Sequence, residues 1–479
     1  MEALFQGNLG AQPKQQSSAE PSSAQLSSMD IPFHRVDVGE REAAAVREVI
    51  LSGWINTGPR VKAFETALKT PLQAETVVAV SSAWAGLFLT LRAFGIGRGD
   101  EVITTPFTFA ATANVIEQVG ATPVFIDVDE SHTLDATKLA QTLSRRTKAI
   151  IPVDIGGRPA NYAALLAALH DFYLGTRAEN SFEPGVNVFQ NVLGRPLILA
   201  DAAHAFGSHT HERTTYKGDI RVYSFHTVKN ITTIDGGAIA ICLKKLSEAA
   251  SVTDSKLSPS HTDKIHSQSK KPTLTLASQL RALALHGMDK SAYERTQLQS
   301  LGYDIISAGY KCNLTDVAAA MGIVQLQRWQ AIAAARDRLY QKYHNHFKES
   351  PYLSERSHMA YVNDWHIAPH LYTLCIKKAH GRLFLTYPTP ERYKIRAELL
   401  KVIAAAGIAT NIHYMPLYNM KYYSKHFNQE TIRSDFPVTD ALSSSIFSLP
   451  FHALLTQQEI TKIINAVTMA AEQVLGHSA

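Results

Sequence analysis

From Glu40 onward the chain alternates between two spacings of apolar residues. Residues 40–51, 82–94, 110–119, 136–143 and 163–172 repeat them at helical intervals. Between and after these lie short β-branched runs at 76–80, 101–105, 123–128, 149–153, 196–200, 219–224 and 238–242. Short apolar strands separated by helices predict a three-layer α/β/α domain around a mostly parallel sheet, covered on both faces. In such sheets functional groups collect just beyond the carboxyl ends of the strands. That rule points to residues 104–109, 201–204 and 224–229. After residue 315 the texture changes. A long helical pattern (316–343) is followed by a strand-like run (370–377), a helix (390–406), a second strand-like run (408–414) and a last helix (456–475). This predicts a smaller α+β C-terminal domain over 316–479, behind a large domain over 30–315.

Three stretches fall outside these patterns. Residues 1–29 are Gln-, Ser- and Pro-rich and carry too few apolar side chains to offset the entropy of ordering, so they read as a disordered tail or tag. They lack the basic-then-apolar order of a secretory signal. Glu2 to Gly7 resembles a picornaviral 3C protease site, as an expression scar would. Residues 176–195 and 251–272 are polar and read as surface insertions.

Composition narrows the class. Hydrophobic residues are 45% of 479 and charged residues 19%, which excludes a mostly disordered chain or a coiled coil. A net charge of +5 over this length gives no basic stripe, so nucleic acid is not an expected partner. No apolar run reaches about 18 residues, so no membrane span is expected. Cys242, Cys312 and Cys375 lie far apart and form neither a metal knuckle nor a disulfide framework, which favours a reducing, cytoplasmic setting. His204, His209, His211 and His226 lack metal-ligand spacing, so no metal is expected. Gly95, Gly97 and Gly99 precede a strand instead of following one, which argues for a turn and against a dinucleotide loop.

Two segments carry chemistry. Leu197-Ile-Leu-Ala-Asp201-Ala-Ala-His204 is a buried strand ending on an acid. Val222-Tyr-Ser224-Phe-His226-Thr-Val-Lys229 is a strand and loop with one lysine, and Asp235-Gly236-Gly237 follows it. Pyridoxal phosphate chemistry needs a lysine amine for a Schiff base, a carboxylate for the pyridinium nitrogen and a donor-rich pocket for the phosphate. Lys229, Asp201 and Ser224 could supply one part each. Taken singly, Lys229 could be a surface charge and Asp201 a helix cap.

Together these segments resemble the signature of the DegT/StrS-type sugar aminotransferases, a fold-type I pyridoxal-phosphate family. They are closest to its UDP-4-amino-4-deoxy-L-arabinose branch. The likeness extends over about residues 31–475. It is carried by Ser52-Gly-Trp-Ile-Asn-Thr57-Gly-Pro59, Val80-Ser-Ser82-Ala-Trp84-Ala85-Gly86, Thr108-Phe109, Leu285-His-Gly287, Gly309-Tyr-Lys311-Cys-Asn313 and Asn411-Ile-His413-Tyr414-Met-Pro416. The resemblance implies that Lys229 forms the Schiff base and moves protons, and that Asp201 holds the pyridinium proton. It places His204 beside the ring hydroxyl and Phe109 on the ring face. Ser82, Trp84, Ala85 and Ser224 would surround the phosphate. Asn313 would serve the cofactor and Lys311 the substrate in a neighbouring subunit's site, making a homodimer with shared active sites. His413 and Thr57 would meet the substrate. It further implies glutamate as donor and a nucleotide-linked keto sugar, with the 4-keto position favoured, as acceptor. A 3-keto or 8-keto sugar, a cyclitol, and a pyridoxal-phosphate-binding regulator without turnover are the alternatives. Two departures stand out. Trp84 replaces a threonine of the phosphate turn, and Asp154 of Pro152-Val-Asp154 replaces a histidine, which predicts an altered substrate pocket.

Overall fold

A computed structural model describes residues 31–174, 182–212, 214–252, 273–299, 302–355, 361–362, 365–387 and 389–476. The predicted tail over 1–29 and nearly all of 251–272 lie outside these residues. Seven strands form the central sheet: β1 (Thr76–Val80), β2 (Glu101–Thr104), β3 (Thr122–Phe125), β4 (Thr147–Ile150), β5 (Leu197–Asp201), β6 (Ile220–Ser224) and β7 (Gly237–Ile241). Their order is β1-β7-β6-β5-β4-β2-β3. β6, β5, β4, β2 and β3 pair in parallel, and β7 runs antiparallel to both of its neighbours. Every residue of β5, β6 and β7 is buried, which is why these strands read as unbroken apolar runs without alternation.

A second sheet is antiparallel: β8 (Leu353–Glu355), β9 (Tyr372–Ile376) and β10 (Ile446–Leu449), in the order β8-β9-β10. It packs with the helices Thr389–Ala405 and Gln457–Leu475 around Tyr343, Phe347, Tyr372, Leu399, Phe447 and Ile463. The strand expected at 408–414 is absent. The main chain of that segment pairs with the sheet through an isolated bridge of Asn411 to Ser448, and Ile408 pairs instead with Ile31. The third strand is β10, whose Ile446-Phe-Ser-Leu449 run is too short to stand out next to the helix Pro437–Ser445.

The helix Asp316–Phe347 has 32 residues and runs past the predicted end at 343. Its extension follows from burial: Leu339, Tyr340, Tyr343 and Phe347 all enter the C-terminal core. At its other end Ala319 packs with Phe64, Phe206 and Phe225 beneath the central sheet. One rigid helix therefore spans both cores. The polar stretch 176–195 is not loop throughout. Asn187 caps the helix Val188–Leu193, Phe189 is fully buried, and Gln190 donates to the Phe94 carbonyl at 2.6 Å.

Candidate active site

The groups predicted at the strand ends converge. β5 ends on Asp201, 6% exposed. Its carboxylate accepts from the Thr112 hydroxyl at 2.7 Å and from the Ala203 N–H at 3.2 Å. Since Thr112 spends its proton on Asp201, it accepts from Thr108, 2.8 Å away. Burial pushes the Asp201 carboxyl up, while these two donors and the charge of Lys229 pull it down. Lys229 lies in the loop between β6 and β7. Burial lowers its amine to about 8, and the charge of Asp201 works in the opposite sense. A lysine poised there is a usable nucleophile and base near neutral pH. With the chain free of cofactor, the rate at which it captures pyridoxal phosphate is expected to rise about tenfold per pH unit up to a midpoint near 8, then level off. Stopped-flow absorbance would measure it, and a flat profile between pH 6 and 9 would contradict the assignment.

Ser82 caps the 11-residue helix Ala83–Ala93, with its hydroxyl accepting the Ala85 N–H at 3.1 Å. Ala85 is thus not a spare donor, contrary to the sequence expectation. The amides with no intrahelical partner in this first turn are those of Ala83 and Trp84. They form the anion-binding end of the helix. Trp84 does not use its side chain there. Its indole stacks on Phe88 with ring centroids 5.1 Å apart and donates to Gln118 at 2.8 Å. Ser224 closes β6, and its hydroxyl accepts the His226 N–H at 3.3 Å. Opposite Ser224 in the ladder stands Gly237. A Cβ at Gly237 would lie 2.7 Å from the Ala83 nitrogen and 2.6 Å from the Ser82 carbonyl carbon. Gly237 therefore lets β7 pass against the helix start, while Gly236 makes room for the Thr233 side chain.

His204 is fixed at both nitrogens. Nδ1 accepts the Gly156 N–H at 3.2 Å, so Nε2 carries the proton and donates to the Tyr414 hydroxyl at 3.0 Å. Burial first, then the charge of Lys229, holds His204 neutral, well below its ordinary range. Tyr414 also lies against Phe109, with centroids 6.1 Å apart. Phe109 caps the helix Ala110–Gln118 and is 62% exposed, presenting a ring face at the site. His413 is anchored by Ser448 of β10, 2.9 Å from its Nδ1, and burial lowers it to about 4. The small sheet thus places both His413 and Tyr414.

Thr57, Lys311 and Asn313 form a separate cluster. Asn313 donates to Thr57 at 2.6 Å and to Asn56 at 2.9 Å, and Lys311 donates to Asn313 at 2.6 Å. None of these hydrogen bonds reaches Lys229, Asp201 or His204. Asp154 corrects another expectation. Its carboxylate does not shape a substrate pocket. It is fully buried, bonded to Arg221 at 2.7 Å, to the Tyr162 hydroxyl at 2.6 Å and to the Ala160 N–H at 3.0 Å. Arg221, 1% exposed, lies over Trp365 at 4.7 Å. Arg221→Met would leave the Asp154 charge without its partner and is expected to cost about 3–5 kcal/mol. Urea unfolding should show a lower midpoint with an unchanged slope.

Thr112, Gly156, Asn230, His370 and Tyr414 were not assigned roles from the sequence. Only Asn230 and Tyr414 lay in motifs. Thr112 and Gly156 act through hydrogen bonds to residues far away in sequence, which no spacing announces.

A buried carboxylate with two fixed donors, a lysine of lowered basicity, an aromatic face and a helix start cleared by glycine suit the ring nitrogen, aldehyde, ring face and phosphate of pyridoxal phosphate. On this sheet topology they define a fold-type I pyridoxal-phosphate enzyme. The profile of the DegT/DnrJ/EryC1/StrS aminotransferase family matches residues 36–174 and 196–468, and the chain belongs to that family. It is 32% identical over 448 residues to the spore coat polysaccharide biosynthesis protein SpsC of Bacillus subtilis (strain 168), covering 91% of this chain and 96% of that one. Among solved structures, the putative sugar aminotransferase Spr1654 from Streptococcus pneumoniae superposes with a TM-score of 0.77 in its PMP form and 0.76 in its PLP form. Each is 29% identical and covers 93% of this chain and 100% of that one. Helicobacter pylori PseC, at 22% identity and a TM-score of 0.71, shares the fold. Among the described residues no helix is long and apolar enough to cross a membrane, and no group of three or more His, Cys, Asp or Glu is placed to hold a metal.

Proposed function

We propose that the chain transfers an amino group from glutamate to the keto carbon of a nucleotide-linked sugar, most readily at the 4-position, for cell-envelope or glycan amino sugars. The observation that carries this reading is the pairing of Lys229 with Asp201 beside the helix start at Ser82. The names of SpsC and Spr1654 support a sugar as acceptor. Pyridoxal phosphate supplies the aldehyde and electron sink that make a carbon next to nitrogen acidic. The chain's residues do the rest. Asp201, oriented by Thr112 and Ala203, would hold the ring nitrogen. The Lys229 amine takes and returns the proton at the reacting carbon in both half reactions, one base serving two directions. The first-turn amides of Ala83 and Trp84, with Ser82 and Ser224, hold the phosphate. His413 meets the sugar.

The enzyme works in the cytoplasm as a homodimer with shared sites. Ile50, Leu51 and Ile55 are exposed apolar side chains on the same stretch as Thr57, and Val228 and Ile234 flank Lys229. These are surfaces that a second copy would cover. Through that contact Lys311 and Asn313 would complete the partner's site.

The deciding experiment is 2-oxoglutarate release from glutamate with UDP-, GDP- and dTDP-4-keto sugars, run beside 3-keto sugars. Turnover with one 4-keto sugar is expected. Conversion of the cofactor by glutamate with no turnover on any sugar would sink the acceptor assignment, and a monomer in light scattering would sink the shared site.

A further inference from the structure

His370 lies just before β9, in the chain's C-terminal portion, yet it reaches His204 and Asn230, the neighbour of Lys229 in the chain. Its ring centroid is 4.5 Å from that of His204. Its Nδ1 is 3.0 Å from Asn230 Oδ1, next in sequence to Lys229. Asn230 donates its amide to the Phe206 carbonyl at 2.9 Å, which orients Oδ1 as an acceptor, so His370 Nδ1 carries the proton and donates. The His370 N–H bonds the Gly156 carbonyl at 3.0 Å, and the Gly156 N–H is the donor that sets the His204 tautomer. Behind His370 stands Arg336 of the 32-residue helix, 3% exposed. It donates Nε to the Pro369 carbonyl at 3.0 Å and Nη2 to the His370 carbonyl at 2.7 Å. Among the described residues no carboxylate is hydrogen-bonded to this guanidinium. A buried arginine spent on two main-chain carbonyls holds one segment of backbone in place.

We propose that His370 is a positioning residue, braced by Arg336, which sets the Lys229 loop through Asn230 and the orientation of His204 through Gly156 and ring contact. It touches neither substrate nor cofactor. Its action is to hold two separate loops, 202–207 and 225–236, in register, the ring meeting His204 and Asn230 while the main-chain N–H holds Gly156. The inference rests on pyridoxal phosphate binding at Lys229.

The test uses the full chain loaded with pyridoxal phosphate, and compares His370→Ala, His370→Asn, Asn230→Ala and the double variant His370→Ala/Asn230→Ala. An asparagine at 370 can place an amide N–H where the imidazole Nδ1–H stands. The readouts are cofactor affinity by dialysis and absorbance, and the pH midpoint of the bound-cofactor absorbance band, with circular dichroism for the fold. His370→Ala and Asn230→Ala should each weaken the cofactor about tenfold, the worth of one buried hydrogen bond, and should shift the band's midpoint. The double variant should lose less than the product of the two singles, because both remove the His370–Asn230 bond, while Asn230→Ala alone also removes the bond to Phe206 and His370→Ala alone the ring contact with His204. His370→Asn should return to within about threefold of the parent. Unchanged affinity and midpoint in His370→Ala would overturn the proposal. So would multiplicative losses in the double variant, or a folded His370→Asn no better than His370→Ala. If His370→Ala does not fold, Asn230→Ala decides alone by the same two readouts. A parent chain that shows no bound-cofactor band defeats the cofactor reading, whereas a normal parent band with indifferent variants defeats only the brace.

Discussion

Lys229→Ala is expected to abolish turnover, with a loss of at least about 10⁴-fold, while leaving the fold and the cofactor's phosphate contacts in place. Two losses combine. The covalent anchor disappears, and so does the base that moves the proton, a role worth roughly 10²–10⁴ in rate by itself. Lys229 is half-buried at the mouth of a loop held by the Thr232 and Thr233 bonds to Phe225, and none of those bonds involves its side chain. The melting temperature of the cofactor-free variant should therefore match the parent. Removing a partly desolvated cation even relieves some strain. Adding a small primary amine to the variant should restore a part of the proton transfer, since the missing group is a base and not a shape. The checks are single-turnover absorbance with glutamate, and calorimetry. Full turnover in the variant would show that another residue carries the chemistry.

The sequence reading found all seven strands of the central sheet, for a physical reason. A parallel sheet buried on both faces writes itself as apolar runs, and each helix between them carries its own period. Of the small sheet it found only β9, expected at 370–377, and lost the other two strands for the opposite reason. β10 has four residues, and segment 408–414 has a strand's composition but is held by isolated bridges that depend on Ile31 and Ser448, far away in sequence. The long helix was ended one turn early because Phe347 is apolar among polar neighbours, and only the C-terminal core gives it a purpose.

In the site, strand ends exposed Asp201, Ser224 and Lys229, because that position in the fold is itself a chemical signal. Residues acting at second remove gave none. His370 looks like any other histidine in the chain until the fold sets it between His204 and Asn230. Asp154 misled in the other direction. It stands one strand over from Asp201, and its main chain pairs with that residue's carbonyl at 2.9 Å, but the carboxylate turns to Arg221. A substitution seen in the line of a motif says where the backbone goes, not which way the side chain faces.

Asp201→Asn should be the second most damaging change, about 10²–10⁴-fold in turnover, and its signature differs from that of Lys229→Ala. The amide is nearly the size of the carboxylate, so packing against Thr112 and Ala203 survives. Its charge does not. In the parent, burial raises the Asp201 carboxyl, and the Thr112 hydroxyl, the Ala203 N–H and the charge of Lys229 pull it back toward the ionised form. A protonated ring nitrogen beside it would complete a buried charge pair. Removing one member of a buried charge pair costs about 3–5 kcal/mol, and at 1.36 kcal/mol per factor of ten this gives the range above. The variant should still bind cofactor covalently through Lys229, so its absorbance band should form with a changed pH midpoint. The Lys229 amine should also fall below about 8, because the charge of Asp201 is what raises it against burial. Cofactor capture in the variant would then proceed at lower pH than in the parent even as turnover collapses. A capture profile that stays at the parent's midpoint would mean that Asp201 and Lys229 do not share one electrostatic site.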